Sequence, residues 1–225
     1  MELTILMPCL NEAKTIGLSI NEAKRFLTEN NIDGEILVAD NMSADNSAEI
    51  AEKCGARVIK VREKGYGNAL IGGIKAAKGK FIIMGDCDMS YDFYNLGLFM
   101  EKLREGYALV MGNRFKGGIE KGAMPFLHKL GVPFLSFLGR VRYKVNVGDF
   151  HCGLRGFDRE KALTLGLSSD GMEFATEIIA RFALGGYKIA EIPTVLRKDK
   201  RDGKSHLRSI PDGLRHLKLM LRKLK

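Results

Sequence analysis

The sequence predicts an α/β fold: a mainly parallel central sheet with helices on both faces, in a chain of 225 residues. Two observations predict it. Strand-like apolar runs alternate with helically spaced segments through residue 113, the order that builds parallel sheets from crossover units. Successive strands also end on polar residues, as they do where an open sheet binds a ligand outside its carboxyl ends.

The elements follow in order. "LTILMP" (3–8) is the first strand. Residues 12–29 place Ile16, Ile20, Ala23 and Leu27 on one helical face. "EILVAD" (35–40) is the second strand, and Ser43 is the expected cap of a helix running to Lys53. "ARVIKV" (56–61) is the third. "GYGNALIGGIKAAKG" (65–79) opens as a glycine loop and becomes a helix that stops at Gly79. "KFIIMG" (80–85), a helix over 93–105 and "ALVMGN" (108–113) complete the first half. Beyond it come a loop at 116–123, one or two amphipathic helices across 124–145 whose apolar residues suit the core or a lipid-facing patch, a short turn-strand at 148–159, a helix at 171–184, a bent strand or strand pair at 187–196 and a last helix at 209–224. The predicted division is a main domain over 1–207, with halves at 1–115 and 116–207, followed by a basic amphipathic helix over 208–225.

Composition narrows the class. An apolar fraction of 45% suits a soluble globular domain, and no apolar run approaches the length of a membrane span. The N-terminus reads as a strand rather than a signal peptide. Cys9, Cys54, Cys87 and Cys152 are too far apart for a zinc or disulfide framework, so a reducing cytosol is the expected setting. Of the net charge of +9, most lies in residues 197–225, which hold 11 Lys/Arg against 3 Asp/Glu. Leu214, Leu217, Leu221 and Leu224 recur there at helical spacing among cations, a pattern suited to an anionic membrane or to packing on the domain. No aromatic residue follows Tyr187, which speaks against nucleic-acid stacking.

The chemistry concentrates at the fourth strand, "FIIMGDCDMS", which ends on Asp86 and Asp88. Residues i and i+2 of an extended segment share a face, and two carboxylates so placed repel unless a cation intervenes. Hard oxygen ligands suit Mg²⁺ or Mn²⁺, which complete their shells from water and substrate phosphates. Asn11 and Glu12 follow the first strand; Asp40, Asn41, Ser43 and Asp45 follow the second. Such groups can read a nucleoside, although helix capping explains Ser43 and Asp45 better. The glycine loop is not the dinucleotide fingerprint, because Leu70 stands where its third glycine belongs. It can still bring a helix N-terminus to a phosphate. Asp149 is the candidate general base for a hydroxyl acceptor, and His151 beside Cys152 reads as structural.

Taken together, "ILMPCLNEA", "LVADNMSADNS", "GYGNALIGGI", "MGDCDMS", "MGNRF", "DFHCGLRGF", "AEIPTVLRK" and "RDGKSHL" resemble, in order and spacing, the family-2 glycosyltransferases of GT-A fold. The likeness is greatest to dolichyl- and polyprenyl-phosphate sugar synthases and spans nearly the whole chain. The resemblance implies a Rossmann-like GT-A core with an acceptor-side extension. It also implies a nucleotide-diphosphate sugar donor of the GDP-mannose or UDP-glucose type, Mg²⁺ or Mn²⁺, and inversion at the anomeric carbon. It places Pro8, Asn11, Glu12, Asp40, Asn68 and Asp86 around the donor, and Asp86 and Asp88 at the metal. Arg114, His128 and Lys129 fall at the acceptor phosphate, and Arg201, aided by Lys204 and Ser205, at the diphosphate. Ser90 stands where relatives often carry Gln, "YDFYN" replaces a histidine-proline-proline stretch, His128 replaces an arginine, and the last motif ends in His206. The implied activity is transfer of a sugar to a polyprenyl or dolichyl phosphate by a cytoplasmic enzyme peripheral to the inner membrane face. The alternatives are a glycan or small-molecule hydroxyl acceptor, a sugar-phosphate nucleotidyltransferase, and a non-catalytic nucleotide-sugar binder. "PCLNEAKT" lacks the glycine cluster of the nucleotidyltransferases.

Overall fold

A computed structural model describes residues 1–201 and 209–222. The chain runs β1 (Leu3–Cys9), α1 (Ile16–Glu29), β2 (Gly34–Asp40), α2 (Ser47–Lys53), β3 (Arg57–Lys60), α3 (Tyr66–Ala76), β4 (Phe81–Met84), α4 (Gly97–Arg104) and β5 (Leu109–Asn113). It continues through α5 (Arg114–Gly117), α6 (Phe126–Tyr143), β6 (Arg155–Asp158), α7 (Arg159–Thr164), α8 (Phe174–Leu184), β7 (Ile189–Pro193) and α9 (Ser209–Leu221).

The strands form one sheet in the order β3-β2-β1-β4-β6-β5-β7. Every residue of β1 is buried, as is every residue of β4, so the centre of the sheet is covered on both faces. Two apolar clusters do this, one containing Ile16, Ile20 and Phe26 of α1, the other Leu70 and Ile74 of α3. β1 pairs in parallel with β2 from Leu3↔Gly34 to Cys9↔Asp40, and with β4 from Leu3↔Phe81 to Leu6↔Met84. That register delivers Leu10–Glu12, Asn41–Asp45 and Asp86–Asp88 to one edge. β1 and β4 flank the point where strand order reverses, the place where open α/β sheets bind ligands.

Several predicted boundaries move. Ser43 does not cap α2, which begins at Ser47; Ser43 Oγ instead accepts from the Asn11 N–H at 3.0 Å, and the Asp45 carboxylate accepts from the Ser47 N–H at 3.0 Å. The short turn-strand becomes β6, antiparallel to both β4 and β5 and inserted between them. The division at residue 115 therefore cuts through the sheet, because β5 touches β6 and β7 rather than β4. The bent strand is β7 followed by a single bridge from Leu196 to Ile119, which ties the loop at 116–123 to the body.

The glycine loop is filled by protein. The Asp170 carbonyl accepts from the N–H groups of Gly67 (2.9 Å) and Asn68 (3.3 Å), so the start of α3 meets a peptide carbonyl rather than a phosphate. Ser168 and Ser169 are in turn held by their N–H groups on the buried Glu177 carboxylate. A Cβ at Gly67 would lie 2.0 Å from the Ser169 carbonyl oxygen. Gly67→Ala should therefore destabilise the protein by about 1–3 kcal/mol in urea titration, whereas Gly97→Ala, with open space around its Cβ, should leave the midpoint unchanged or slightly raised.

Candidate active site

The three loops at the carboxyl edge are stitched to one another. Ala44 N–H donates to Asn11 Oδ1 at 2.7 Å, Glu12 N–H to Ser47 Oγ at 2.8 Å, and Ala13 N–H to Asp45 Oδ2 at 3.2 Å. Asn41, buried, donates to the carbonyls of Val61 (3.0 Å) and Glu63 (2.8 Å) and accepts from the Gly65 N–H at 2.8 Å. Each loop carries one non-glycine residue in the left-handed region: Asn11 (φ 56°), Met42 (φ 66°) and Met89 (φ 68°). The methionines pay about 1–2 kcal/mol each for that conformation, a cost that commonly marks functional loops.

These loops open a cavity of about 540 Å³ whose walls include Pro8, Asn11, Glu12, Asp86 and Arg201. Of the residues predicted for the donor, these five reach it. Asp40 is buried outside the cavity wall, its carboxylate receiving the Ser43 N–H at 3.4 Å. Asn68 does not border the cavity either; its amide donates to the Lys64 carbonyl at 3.1 Å and secures the loop. Lys204 and Ser205 lie outside the described residues.

β4 ends at Met84, so Asp86 and Asp88 stand on the loop that follows it rather than on an extended strand. Asp86 is half-buried at the cavity wall, which Tyr66 also lines. Burial raises its carboxyl above the usual range, against the Tyr66 side chain and the nearby Arg201 and Arg155 cations, with Glu12 adding to the rise. Asp88 is buried; Oδ1 accepts from the Ser90 N–H at 2.9 Å and Oδ2 is ion-paired with Arg201. Arg201 also approaches Glu12 Oε1 at 3.4 Å. It is delivered by a segment that runs along the aspartate loop, with the Arg197 N–H on the Ser90 carbonyl and the Lys200 N–H on the Asp88 carbonyl, both 2.9 Å.

A divalent cation fits this donor set. Glu12 and Asp88, on neighbouring loops, share the Arg201 guanidinium, and Asp86 stands beside them with its carboxyl raised by burial. Among the described residues no three acidic, His or Cys side chains converge tightly enough to hold an ion alone. Mg²⁺ characteristically uses only one or two carboxylates beside water and substrate phosphate.

The predicted acceptor residues form a second group. Arg114 makes a two-pronged ion pair with Asp149: Nε to Oδ2 at 2.7 Å and NH2 to Oδ1 at 2.9 Å, with Asp149 fully buried. Asp149 also accepts from the N–H groups of Arg114 and His151, both at 3.2 Å. A carboxylate so engaged is not poised as a general base. The Glu191 carboxylate anchors this turn through the N–H groups of Gly148 (2.6 Å) and Asp149 (3.0 Å), and pairs with Lys116 at 2.8 Å. His128 is half-buried, and burial followed by the Arg114 cation lowers its pKa; Lys129 is exposed. The loop 149–153 connects the two groups, and a Cβ at Gly153 would lie 2.6 Å from Asp86 Oδ2.

Sequence reasoning missed other walls. Tyr66, Met172, Asp212 and Arg215 border the cavity. Arg215 of α9 pairs with Asp170 and, at 2.8 Å, with Glu173, fixing the loop that fills the start of α3. The polar turn "SSDG" ahead of α8 was the available signal.

The profile described as Glycosyl transferase family 2 matches residues 4–166. The chain is 40% identical over 221 residues to the low-salt glycan biosynthesis hexosyltransferase Agl6 of Haloferax volcanii, covering 97% of this chain and 53% of that protein. The chain belongs to this glycosyltransferase family. It thus spans about half the length of that relative. It is also 30% identical over 214 residues to the Haloferax volcanii dolichyl-phosphate hexose transferase, covering 94% of this chain and 89% of the relative. Glucosyl-3-phosphoglycerate synthase of Mycobacterium tuberculosis, solved with Mn²⁺, UDP-glucose and phosphoglyceric acid, superposes with a TM-score of 0.76 at 22% identity, over 98% of this chain and 78% of that one. A further mycobacterial protein superposes at 0.79 with 19% identity, over 98% and 73%. The fold of this glycosyltransferase is accordingly GT-A.

The raised carboxyl of Asp86 has a consequence for stability. A folded-state value above the unfolded one gives a stabilising contribution that is complete below pH about 4 and lost as pH rises through the folded value. Asp86→Asn should therefore raise the melting temperature of the ligand-free glycosyltransferase at pH 7, with the gain shrinking below pH about 4. A variant that melts lower than the parent at pH 7 would contradict the assignment.

Proposed function

We propose that this glycosyltransferase moves a hexose from a nucleoside-diphosphate donor of the GDP-mannose or UDP-glucose type to a polyprenyl or dolichyl phosphate, with inversion, working peripherally at the cytosolic face of a membrane. The observation that carries the reading is the pairing of two charge centres through the 149–153 loop. An acidic one, Glu12–Asp86–Asp88 with Arg201, suits a metal-held diphosphate; a second, Arg114–Asp149 with Lys116 and His128 nearby, suits a phosphate acceptor. A phosphate monoester is already ionised near neutral pH and needs no strong base, which agrees with an Asp149 committed to Arg114. The resemblance to the dolichyl-phosphate hexose transferase supports the same acceptor.

In this reading Pro8, Asn11 and Glu12 border the nucleoside, with Asp40 and Asn68 acting behind the wall to hold the loops. Asp86 and Asp88 would hold Mg²⁺ or Mn²⁺, which when bound neutralises the departing diphosphate. Arg201 exchanges part of its carboxylate contact for the diphosphate oxygens, and its fixed fork suits both partners. Lys204 and Ser205 follow it in sequence and are assigned to the same anion. Arg114, steered by Asp149, orients the acceptor together with His128 and Lys129. The acceptor oxygen forms its bond to the anomeric carbon as the bond to the diphosphate oxygen breaks, leaving the nucleoside diphosphate.

Two measurements check this. With Mn²⁺ and a short prenyl phosphate, release of nucleoside diphosphate from a donor panel should fall by about 10²–10³-fold in Asp88→Ala, with the circular dichroism spectrum retained; undiminished transfer would remove Asp88 from the site. Arg114→Lys, which keeps the charge but loses the fork, should raise KM for the acceptor at least tenfold while KM for the donor stays within about twofold. Equal damage to both would take Arg114 away from the acceptor.

A further inference from the structure

α6 is an amphipathic helix turned inside out. Its buried residues are Ser136, Gly139 and Tyr143, and a Cβ on Gly139 would meet the Phe150 ring at 2.5 Å, so small residues let the helix lie close against the body. Its large apolar side chains point the other way. Phe126, Leu127, Leu130, Phe134, Phe137 and Val141 are each between 52% and 76% exposed. At 3.6 residues per turn they fall within an arc of about 100°, opposite the buried residues, along a helix about 27 Å long. A soluble surface does not ordinarily carry so continuous an apolar stripe without a partner.

Charge selects the partner. No Asp or Glu occurs from Lys121 to Gly148, while Lys129 and Arg140 flank one side of the stripe and Arg142 the other. Two copies of this face would set cation against cation. A bilayer with anionic headgroups satisfies both parts, taking the apolar side chains to the acyl boundary and the cations to the phosphates. The stripe also begins twelve residues after Arg114, with only α5 and the loop at 116–123 between them. No described helix is long and apolar enough to cross a membrane, so the contact is with a surface.

We infer that the outward face of α6 docks this glycosyltransferase on an anionic membrane surface. The docking face deepens the lipid-phosphate reading and rests on it for its purpose, while its measurement does not depend on sugar transfer. The test is co-sedimentation of the protein with phosphatidylcholine vesicles with and without 30 mol% phosphatidylglycerol (about a third anionic lipid, enough to set a strong surface potential). The parent should bind the anionic vesicles, and Phe134→Glu/Phe137→Glu should bind at least tenfold more weakly with an unchanged thermal melt, because both side chains are exposed. Lys129→Glu/Arg140→Glu should weaken binding to anionic vesicles and flatten its salt dependence. Equal binding by parent and Phe134→Glu/Phe137→Glu, or no binding by the parent, overturns the inference. A parent that is dimeric by light scattering and becomes monomeric in that variant, without vesicle binding, assigns the face to a second copy instead. Transfer to a short prenyl phosphate in solution, without vesicles, reports on the proposed acceptor separately: vesicle binding with no such transfer defeats the acceptor reading and leaves the docking face standing.

Discussion

The carboxyl edge of the sheet collects negative charge that cannot stand alone, and the rest of the structure is arranged around its neutralisation. Parallel pairing of β1 with β2 and β4 forces Glu12, Asp86 and Asp88 into one region. Desolvated carboxylates so near to one another must find protons, cations or N–H donors. The chain supplies a guanidinium from a distant segment, Arg201, and fixes it by backbone hydrogen bonds to the aspartate loop. Asp86 is left to burial, which raises its carboxyl despite the nearby Arg201 and Arg155 cations. A site left short of positive charge is one prepared to accept it.

The second charge centre is settled differently. Arg114 and Asp149 neutralise each other in a buried fork, and Glu191 holds the turn that carries Asp149. Pairs of this kind add little net stability, since desolvation offsets the attraction, but they fix geometry. The first centre thus leaves Asp86 raised by burial while the second is closed on itself, with Gly153 admitting a close approach to Asp86.

Much of this was legible in the sequence. The alternation of strands and helices through β5 stands as read, because each buried run is short and each helix carries an apolar face. Asn11, Glu12 and Asp86 stood out as polar residues at strand ends and Arg201 through the family resemblance, and all four line the cavity. What was not legible is tertiary. Nothing local says that β6 inserts antiparallel between β4 and β5, or that the Asp170 carbonyl fills the start of α3. The Arg114–Asp149 pairing joins residues 35 apart. For the apolar residues of α6 the sequence leaves core packing and a lipid-facing patch both open, and the packing of Ser136 and Gly139 shows them facing out. In α9 the leucine stripe likewise does not make the contact: Asp212, His216, Leu219 and Met220 are buried, whereas Leu214 and Leu221 are exposed.

The insertion of β6 also bears on the order in which the molecule can assemble. A nascent chain that has emerged only as far as β5 carries a strand whose two neighbours, β6 and β7, have not yet been made. The β1–β4 layer can close early from near-neighbour pairings, while β5 must wait for more than forty further residues. During that interval its apolar face is open to wrong partners, so synthesis should be most vulnerable to aggregation before β6 arrives, and pauses in translation there should matter more than elsewhere.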